Sequence, residues 1–155
     1  MDGTDLNVYR RVFVLMQAIA ASGSNETSYI VWNSIEGALA GVNKVCTGLK
    51  IHSAFKVFAT KISAKQCADA GWESRATDGH LDSLSRATFL RMQAKYSEGN
   101  DALLAEARRR FKVYVADHSN VKVLPSDIIL PVFQLILRES DSAEEYEMLM
   151  KLYSR

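Results

Sequence analysis

Residues 78–115 carry two consecutive amphipathic helical patterns, separated by a polar break at residues 97–100. Apolar and small side chains recur every three or four residues in each pattern, which places them on one side of a helix. One stripe consists of Leu81, Ser85, Phe89, Met92 and Tyr96, and the other of Leu104, Ala107, Phe111, Tyr114 and Val115. Because the break is short and contains Gly99, the helices are expected to fold back and bury their stripes together as an αα-hairpin.

Five other segments repeat this spacing, so the sequence predicts seven helices and no strand. The helices are expected at about residues 5–20, 28–42, 49–70, 78–96, 101–115 and 126–137, and from about residue 143 to the end of the chain. Gly71 offers a natural end for the third helix, because glycine tolerates the left-handed conformation that follows many helices. Pro131 falls in the sixth, so the regular helix is expected to begin within a few residues of that proline or to kink there.

Length and composition suit a single helical-repeat domain over residues 1–155. An apolar content of 48% is ample for a hydrophobic core. Short polar links between helices favour an all-α fold, namely an α-superhelix of paired HEAT- or armadillo-like helices. A four-helix bundle fits less well, because each pair needs a neighbour to cover its second face. No fixed-period motif is present, so the repeats are degenerate.

Charge and hydropathy argue against several classes of protein. Nineteen basic and eighteen acidic residues give a formal net charge of +1, which is not the footprint of a nucleic-acid-binding domain. The apolar runs are shorter than the roughly 20 residues that cross a bilayer. The first residues show no apolar secretory core, and Cys46 and Cys67 are too few for a disulfide framework. We therefore expect a soluble chain with free thiols.

No pattern in the chain predicts a catalytic or metal-binding site. His52, His80 and His118 are scattered, and none has the i, i+4 spacing with an intervening glutamate that is typical of zinc hydrolases. There is no glycine-rich phosphate loop, nucleophile elbow or Cys/His cluster. The residue types and their spacing predict a non-catalytic scaffold.

Asp82 and Arg86 have both a structural and a functional interpretation. They are four residues apart with the acid first, which favours an intrahelical ion pair that fixes the packing between repeats. A ligand-facing Arg86 is the alternative. Arg86 lies opposite the apolar stripe of its helix, and Leu90 and Gln93 lie near it. This second partly apolar face indicates an inner helix that is contacted on both sides.

The basic run at residues 108–110, followed by Lys112, has the charge to attract an anion. Glu106 and Asp101 are close in sequence, however, and the run wraps around more than half a helical turn. A solvated helix face is therefore the expected role of these arginines.

Several of these motifs resemble one family of enzymes. Residues 72–82 (WESRATDGHLD), 84–86 (LSR) and 106–112 (EARRRFK) resemble parts of the C-terminal helical domain of puromycin-sensitive aminopeptidase, a gluzincin zinc aminopeptidase. Further similarities occur at residues 26–32, 124–132 and 148–152, in the same order and with similar spacing. GHLD with its following arginine, taken together with EARRRF, is specific to the puromycin-sensitive branch.

The resemblance implies a fold and a role. In that family the C-terminal domain is an α-superhelix whose concave side closes over the catalytic domain and encloses the peptide-binding cavity. The HExxH motif that binds zinc belongs to an upstream domain, so the resemblance implies zinc in the parent enzyme and no catalytic, cofactor-binding or metal residue here. Asp82 and Arg86 match the GHLD…R element, and we interpret them as structural, with a peptide-facing position as the alternative.

Two hypotheses about function follow. In the first, the chain is a non-catalytic segment of a cytoplasmic zinc aminopeptidase, and residues 1–155 are a fragment of a larger C-terminal domain. In the second, it is a free-standing helical-repeat module that binds a peptide or a partner protein. A truncated array would expose apolar surface on the Leu6–Phe13–Met16 side or the Tyr146–Leu149–Tyr153 side, so the isolated chain is expected to self-associate.

Overall fold

The computed structural model describes residues 26–117, 119–120, 122–139 and 143–153, with the isolated positions 10, 14 and 17–18 nearer the N-terminus. These ranges form six helices and no strand: α1 (Tyr29–Cys46), α2 (His52–Ala70), α3 (His80–Tyr96), α4 (Asp101–Ala116), α5 (Ile129–Glu139) and α6 (Ala143–Tyr153). The all-α prediction is confirmed, and the six helices match the second to seventh predicted ones. Apart from the isolated positions, the first predicted helix lies outside the described residues. Across these ranges, no helix combines the length and the apolar character that spanning a bilayer requires.

The helices form two layers with α3 at the centre. α1, α3 and α5 contact one another in succession, α2 packs on α1 and α3, and α4 and α6 pack on α5. Within the described ranges, α2, α4 and α6 make no comparable contact with each other. Successive helices that stack in two layers and touch mainly their neighbours form a superhelical arrangement.

The predicted αα-hairpin is wrong in its packing, because the stripes of α3 and α4 face different partners. Phe89 and Tyr96 of α3 pack in a first core cluster with α1 and α2. Phe111 of α4 packs in a second cluster with α5, to which α3 contributes its other side through Leu90 and Ala94. The expectation that α3 is an inner helix contacted on both sides is therefore confirmed. The stripe of α3 lies in the first cluster and that of α4 in the second, to which α3 contributes its other face.

Edge-to-face aromatic pairs connect helices within each cluster. The ring centroids of Trp32 in α1 and Phe89 in α3 are 5.2 Å apart at an interplanar angle of 80°. Those of Phe111 in α4 and Phe133 in α5 are 5.6 Å apart at 86°. This geometry brings the positive edge of one ring to the negative face of the other. The indole Nε1 of Trp32 also donates a hydrogen bond to the carbonyl oxygen of Glu26, so the buried ring leaves no unpaired donor.

Local sequence signals account for several helix ends. α2 ends at Gly71, whose φ of 65° lies in the left-handed region, as the sequence predicts. Gly79 is the N-cap of α3, and its N–H donates to Oδ2 of Asp82 at 2.8 Å, which satisfies a free donor at the helix start. Pro131 lies in the first turn of α5, so the predicted start close to that proline is confirmed.

The C-terminal end of the array carries an exposed apolar patch. Leu137, Tyr146 and Met150 are 48%, 56% and 51% exposed, and they line a cavity of about 370 Å³ bordered by α4, α5 and α6. Exposed apolar surface of this kind is typical of association sites. The Leu6–Phe13–Met16 side, the other end expected to be uncovered, lies outside the described residues.

We predict that the chain self-associates through this patch. Replacing Tyr146 and Met150 together by serine is expected to shift the chain to a monomer, because apolar burial is the main driving force for association. Light scattering across a concentration series measures the shift. Leu130→Ser is the matched control, since Leu130 is 57% exposed but lies outside the patch. A wild-type chain that stays monomeric at every concentration would contradict the prediction.

Candidate functional site

Asp82 and Arg86 line the same cavity, which measures about 480 Å³. It lies where the residues before α1, the C-terminal half of α2 and the start of α3 meet. Its lining consists of Glu26, Thr27, Lys65, Gln66, Asp69, Ala70, Arg75, Asp78, Asp82, Ser85, Arg86 and Phe89. Charged side chains of both signs therefore converge at one edge of the array.

Arg86 is almost completely buried in α3, with 2% of its surface exposed. Its Nη2 donates to the carboxylate of Asp78, and its Nη1 lies 3.4 Å from Oδ2 of Asp127. Asp78 precedes α3 and Asp127 precedes α5, so one side chain links the starts of two neighbouring helices in the same layer. Nε of Arg86 is buried and has no hydrogen-bond partner among the described residues.

The predicted ion pair between Asp82 and Arg86 is wrong. No ion pair in the described ranges joins these two side chains. Asp82 instead accepts the N–H of Gly79 in the first turn of α3, where the positive end of the helix dipole stabilises a carboxylate. Arg86 instead pairs with Asp78 and Asp127, which lie outside its own helix. These carboxylates are less exposed than Asp82, so they compensate a buried cation better than Asp82 would.

Asp78 is held in place from two directions. The backbone N–H of Arg75 donates to its Oδ2 at 2.9 Å, and the guanidinium of Arg86 donates to the same oxygen. The Arg75 hydrogen bond is the larger cause of a pKa below the usual range for this carboxyl, and Arg86 adds to it. Asp78 is therefore ionised at neutral pH and supplies the negative charge that the buried arginine requires.

The outer rim of the cavity has separate ion pairs and hydrogen bonds. Nζ of Lys65 lies 3.1 Å from Oδ2 of Asp69, and Arg75 donates to the carbonyl oxygen of Asp69. Oε1 of Glu26 accepts the N–H of Ser28 at 2.7 Å. Because these rim groups are exposed, their pairs can exchange with those of a polar ligand at low cost. Arg86 lacks that freedom because of its burial.

The basic run at residues 108–110 is not a solvated face, and that prediction is wrong for Arg110. Only 2% of Arg110 is exposed. It donates to Glu106 at 2.7 Å, to Glu73 at 2.9 Å and to the carbonyl oxygen of Val123 at 2.7 Å. Its guanidinium also lies 5.3 Å from the ring centroid of Trp72, a cation–π distance. Arg110 thus ties α4 to the segments that follow α2 and precede α5.

The other two arginines of the run have different surroundings. Nε of Arg108 lies 2.9 Å from Oε1 of Glu145, which connects α4 to α6. Arg109 pairs with Glu106 at 2.7 Å within α4, and its side chain is 55% exposed. Only Arg109 fits the solvated-face interpretation.

The ion pairs of Glu106 with Arg109 and Arg110 can be tested through the pH dependence of stability. Hydrogen bonds from Arg109 and Arg110 lower its pKa from the ordinary 4.5 to about 2. A lowered folded-state pKa gives stability that is present above the unfolded pKa and is lost as pH falls through the folded one. The contribution of Glu106 is therefore expected to disappear between about pH 4.5 and about pH 2.

We predict that Glu106→Gln lowers the free energy of unfolding by about 1 kcal/mol at neutral pH, since partial contact with water weakens such pairs. The difference from the wild type should vanish near pH 2. Urea unfolding at a series of pH values measures it. Glu147→Gln is the control, because Glu147 is exposed and has no ion pair within the described ranges. A difference that persists unchanged at acid pH would contradict the pairing.

The side chains that the structure describes do not come together as a zinc site. The part of the chain that the structure describes contains no group of three His, Cys, Asp or Glu side chains placed to hold a metal ion. Nε2 of His52 lies 2.9 Å from Oδ1 of Asn43, His80 is exposed at the start of α3, and His118 is outside the described residues. Cys46 and Cys67 are free thiols, and burial raises the pKa of Cys67 to about 11, so that thiol stays protonated at neutral pH.

The six described helices in two layers, with Arg86 and Arg110 buried between elements, define an all-α superhelical fold. Comparison with known sequences identifies the family: the model of the ERAP1-like C-terminal domain matches residues 7–155, and the chain belongs to that family. The predicted resemblance to the C-terminal helical domain of an aminopeptidase is thereby confirmed.

Two curated relatives are plant aminopeptidases. The chain is 33% identical over 85 residues to Aminopeptidase M1-A of Oryza sativa subsp. japonica and 32% identical over 85 residues to Aminopeptidase M1 of Arabidopsis thaliana. Each alignment covers 54% of this chain but only 9% of the relative. No solved structure gives a significant match.

Proposed function

We propose that this chain is a non-catalytic C-terminal helical segment of a zinc-dependent aminopeptidase. The observation that carries the proposal is the family match over residues 7–155, and the similarity to two plant aminopeptidases supports it. In this proposal residues 1–155 are part of a larger C-terminal α-superhelix. The zinc belongs to a catalytic domain elsewhere in the parent protein, and no residue of this chain is assigned to it.

The proposed role is to enclose the peptide-binding cavity and to dock on the catalytic domain. A domain that encloses a cavity must keep its shape, and arginines that bond from one helix to the next support this role. Arg91 of α3 makes two hydrogen bonds of 3.0 and 2.9 Å to the carboxylate of Glu36 in α1. Arg138 of α5 donates to the carbonyl oxygens of Ala94 and Ser97 at the end of α3. These bonds join successive helices of the same layer.

We further propose that the parent is of the puromycin-sensitive type, with HEAT-like repeats and a cytoplasmic location. The motifs that resemble this branch have definite positions in the fold, which supports their use as family markers. Asp82 caps α3, Arg86 links α3 to the start of α5, and Arg110 ties α4 to its flanking segments. In this proposal Arg86 holds neighbouring helices in position. A peptide contacts the rim of the cavity at the Asp82–Arg86 edge.

The alternative is a free-standing helical-repeat module that binds peptides without a catalytic partner. The observation that favours it is the polar cavity of about 480 Å³ at the Asp82–Arg86 edge, which offers exposed groups of both signs to a ligand. Under this alternative the same fold would serve recognition alone.

The reading frame upstream of residue 1 distinguishes the two functions. We expect it to encode a catalytic domain with HExxH and a downstream glutamate, followed without interruption by this segment. Sequencing of the transcript from its 5′ end tests this. A transcript that begins at Met1 and carries no such domain would favour the free-standing module.

A further inference from the structure

The surface around the α1–α2 turn has an unusual charge. Residues 37–68 contain five lysines and no arginine, aspartate or glutamate, in a chain whose net charge is only +1. The remainder of the chain is therefore net acidic. Two of these lysines, Lys56 and Lys65, pair with acids outside the stretch. The other three have no ion pair among the described residues, so their charge faces solvent.

Exposed apolar side chains lie among these lysines. Leu49, Ile51 and Val57 are 52%, 57% and 54% exposed. We call this surface the basic apolar tip, and its members are Lys44, Leu49, Lys50, Ile51, Val57 and Lys61. Scattered exposed apolar residues are ordinary, but here three occur within nine positions and lie close in sequence to unpaired lysines.

The turn that presents the tip is firmly built. Gly48 has a φ of 82°, a conformation that residues with a side chain rarely adopt. The N–H of Thr47 donates to the carbonyl oxygen of Asn43 at 2.9 Å, and the side chain of the same asparagine lies 2.9 Å from Nε2 of His52 across the turn. Cys46 is buried beneath it. Leu49 and Ile51 are thus held outward by the backbone of the turn.

The cavities described above lie away from the tip. No member of the tip lines the cavities at the Asp82–Arg86 edge, at the α4–α6 end or between α2 and α4. A surface that combines exposed apolar side chains with unpaired lysines is suited to a fluid anionic surface, into which apolar side chains sink while the ammonium groups stay at the level of the phosphates.

We propose that the basic apolar tip docks this chain on an anionic membrane surface. Leu49, Ile51 and Val57 enter the boundary between headgroups and acyl chains, and the lysines contact lipid phosphates. The attachment is peripheral and reversible, since it rests on one turn and three unpaired charges. An acidic protein segment is the less suitable occupant, because a protein segment is commonly held in a groove and none of the three cavities named above includes a member of the tip.

Co-sedimentation of the chain with lipid vesicles tests the proposal. We expect binding to vesicles of phosphatidylcholine mixed with phosphatidylserine, weak binding to phosphatidylcholine alone, and release by salt. Changing Lys44, Lys50 and Lys61 together to glutamine should weaken binding at least about tenfold, since each lysine near an anionic surface contributes about a fivefold effect. Leu49→Ser with Ile51→Ser should also weaken binding, although it leaves the net charge unchanged.

The matched control changes Lys95, Lys112 and Lys122 to glutamine, which removes the same charge elsewhere, and circular dichroism verifies that each variant is folded. If the control variant loses as much vesicle binding as the tip variant, binding depends on net charge alone and the proposal is overturned. No sedimentation with anionic vesicles would overturn it directly. Capture by immobilised polyglutamate without vesicle binding would assign the tip to an acidic protein instead.

Discussion

Replacing Arg86 by alanine is expected to lower the free energy of unfolding by about 3 kcal/mol or more. The side chain is 2% exposed and compensates the carboxylates of Asp78 and Asp127. Its removal leaves those two acids without their cation and opens a void beside α3. Denaturant unfolding measures the change, provided that the dependence on denaturant concentration is the same as in the wild type.

Two comparisons make this test specific. Arg91→Ala is the matched control, since Arg91 also bridges helices but its side chain is 29% exposed, so about 1 kcal/mol is expected. A double-mutant cycle should show strong coupling of Arg86 with Asp78 and nearly additive effects of Arg86 with Asp82. Strong coupling between Arg86 and Asp82 would instead support the intrahelical ion pair. An unchanged unfolding midpoint with lost peptide binding would show that Arg86 faces a ligand.

Helix positions could be predicted from the sequence because the responsible signals are local. The spacing of apolar residues predicted each described helix. Gly71 indicated the end of α2 and Pro131 the start of α5 through their own backbone preferences. The partner of each stripe was not predictable in this way. α3 has apolar residues on two sides, and its spacing does not say whether Phe89 faces the following helix or the preceding pair.

The candidate site depended on contacts that sequence spacing does not reveal. Asp82 was the acid nearest to Arg86 at a favourable spacing, whereas Asp127 lies 41 positions away. One useful signal was present: the proximity of Leu90 and Gln93 to Arg86 indicated an inner helix, and an arginine on its second face is then expected to be buried. Leu90 confirms that interpretation, since it is buried in the second core cluster together with residues of α4 and α5.

Arg110 shows why a charged run is a weak guide. The three consecutive arginines point in directions about 100° apart around the helix, so they meet different surroundings. Arg110 follows Ala107 by three residues and therefore lies at the edge of the buried stripe. The acids that neutralise it are Glu106, one turn earlier in the same helix, and Glu73, in the segment after α2. The first was visible in the sequence, but the second required the fold.

The proposed function predicts that the chain alone has no aminopeptidase activity and binds no stoichiometric zinc. A catalytic zinc site needs three protein ligands and an open position. The chain lacks HExxH, and the ring of His52 is already within hydrogen-bond distance of Asn43. Turnover of a fluorogenic aminoacyl amide should therefore equal the background without enzyme, and metal analysis after dialysis should find far less than one zinc per chain.

Under the proposed function, adding the catalytic portion expected upstream should restore chelator-sensitive cleavage, because the helical segment would complete the cavity that positions a peptide. The effect should be large, since misplacement of a substrate by about 1 Å can cost about a hundredfold in rate. A catalytic portion whose HExxH glutamate is replaced by glutamine is the control for contaminating peptidases, and an Arg86→Ala chain tests whether the array must be intact. Chelator-sensitive turnover by the chain alone would contradict the scaffold role, as would one tightly held zinc per chain. Full activity of the catalytic portion without this chain would contradict the enclosing role.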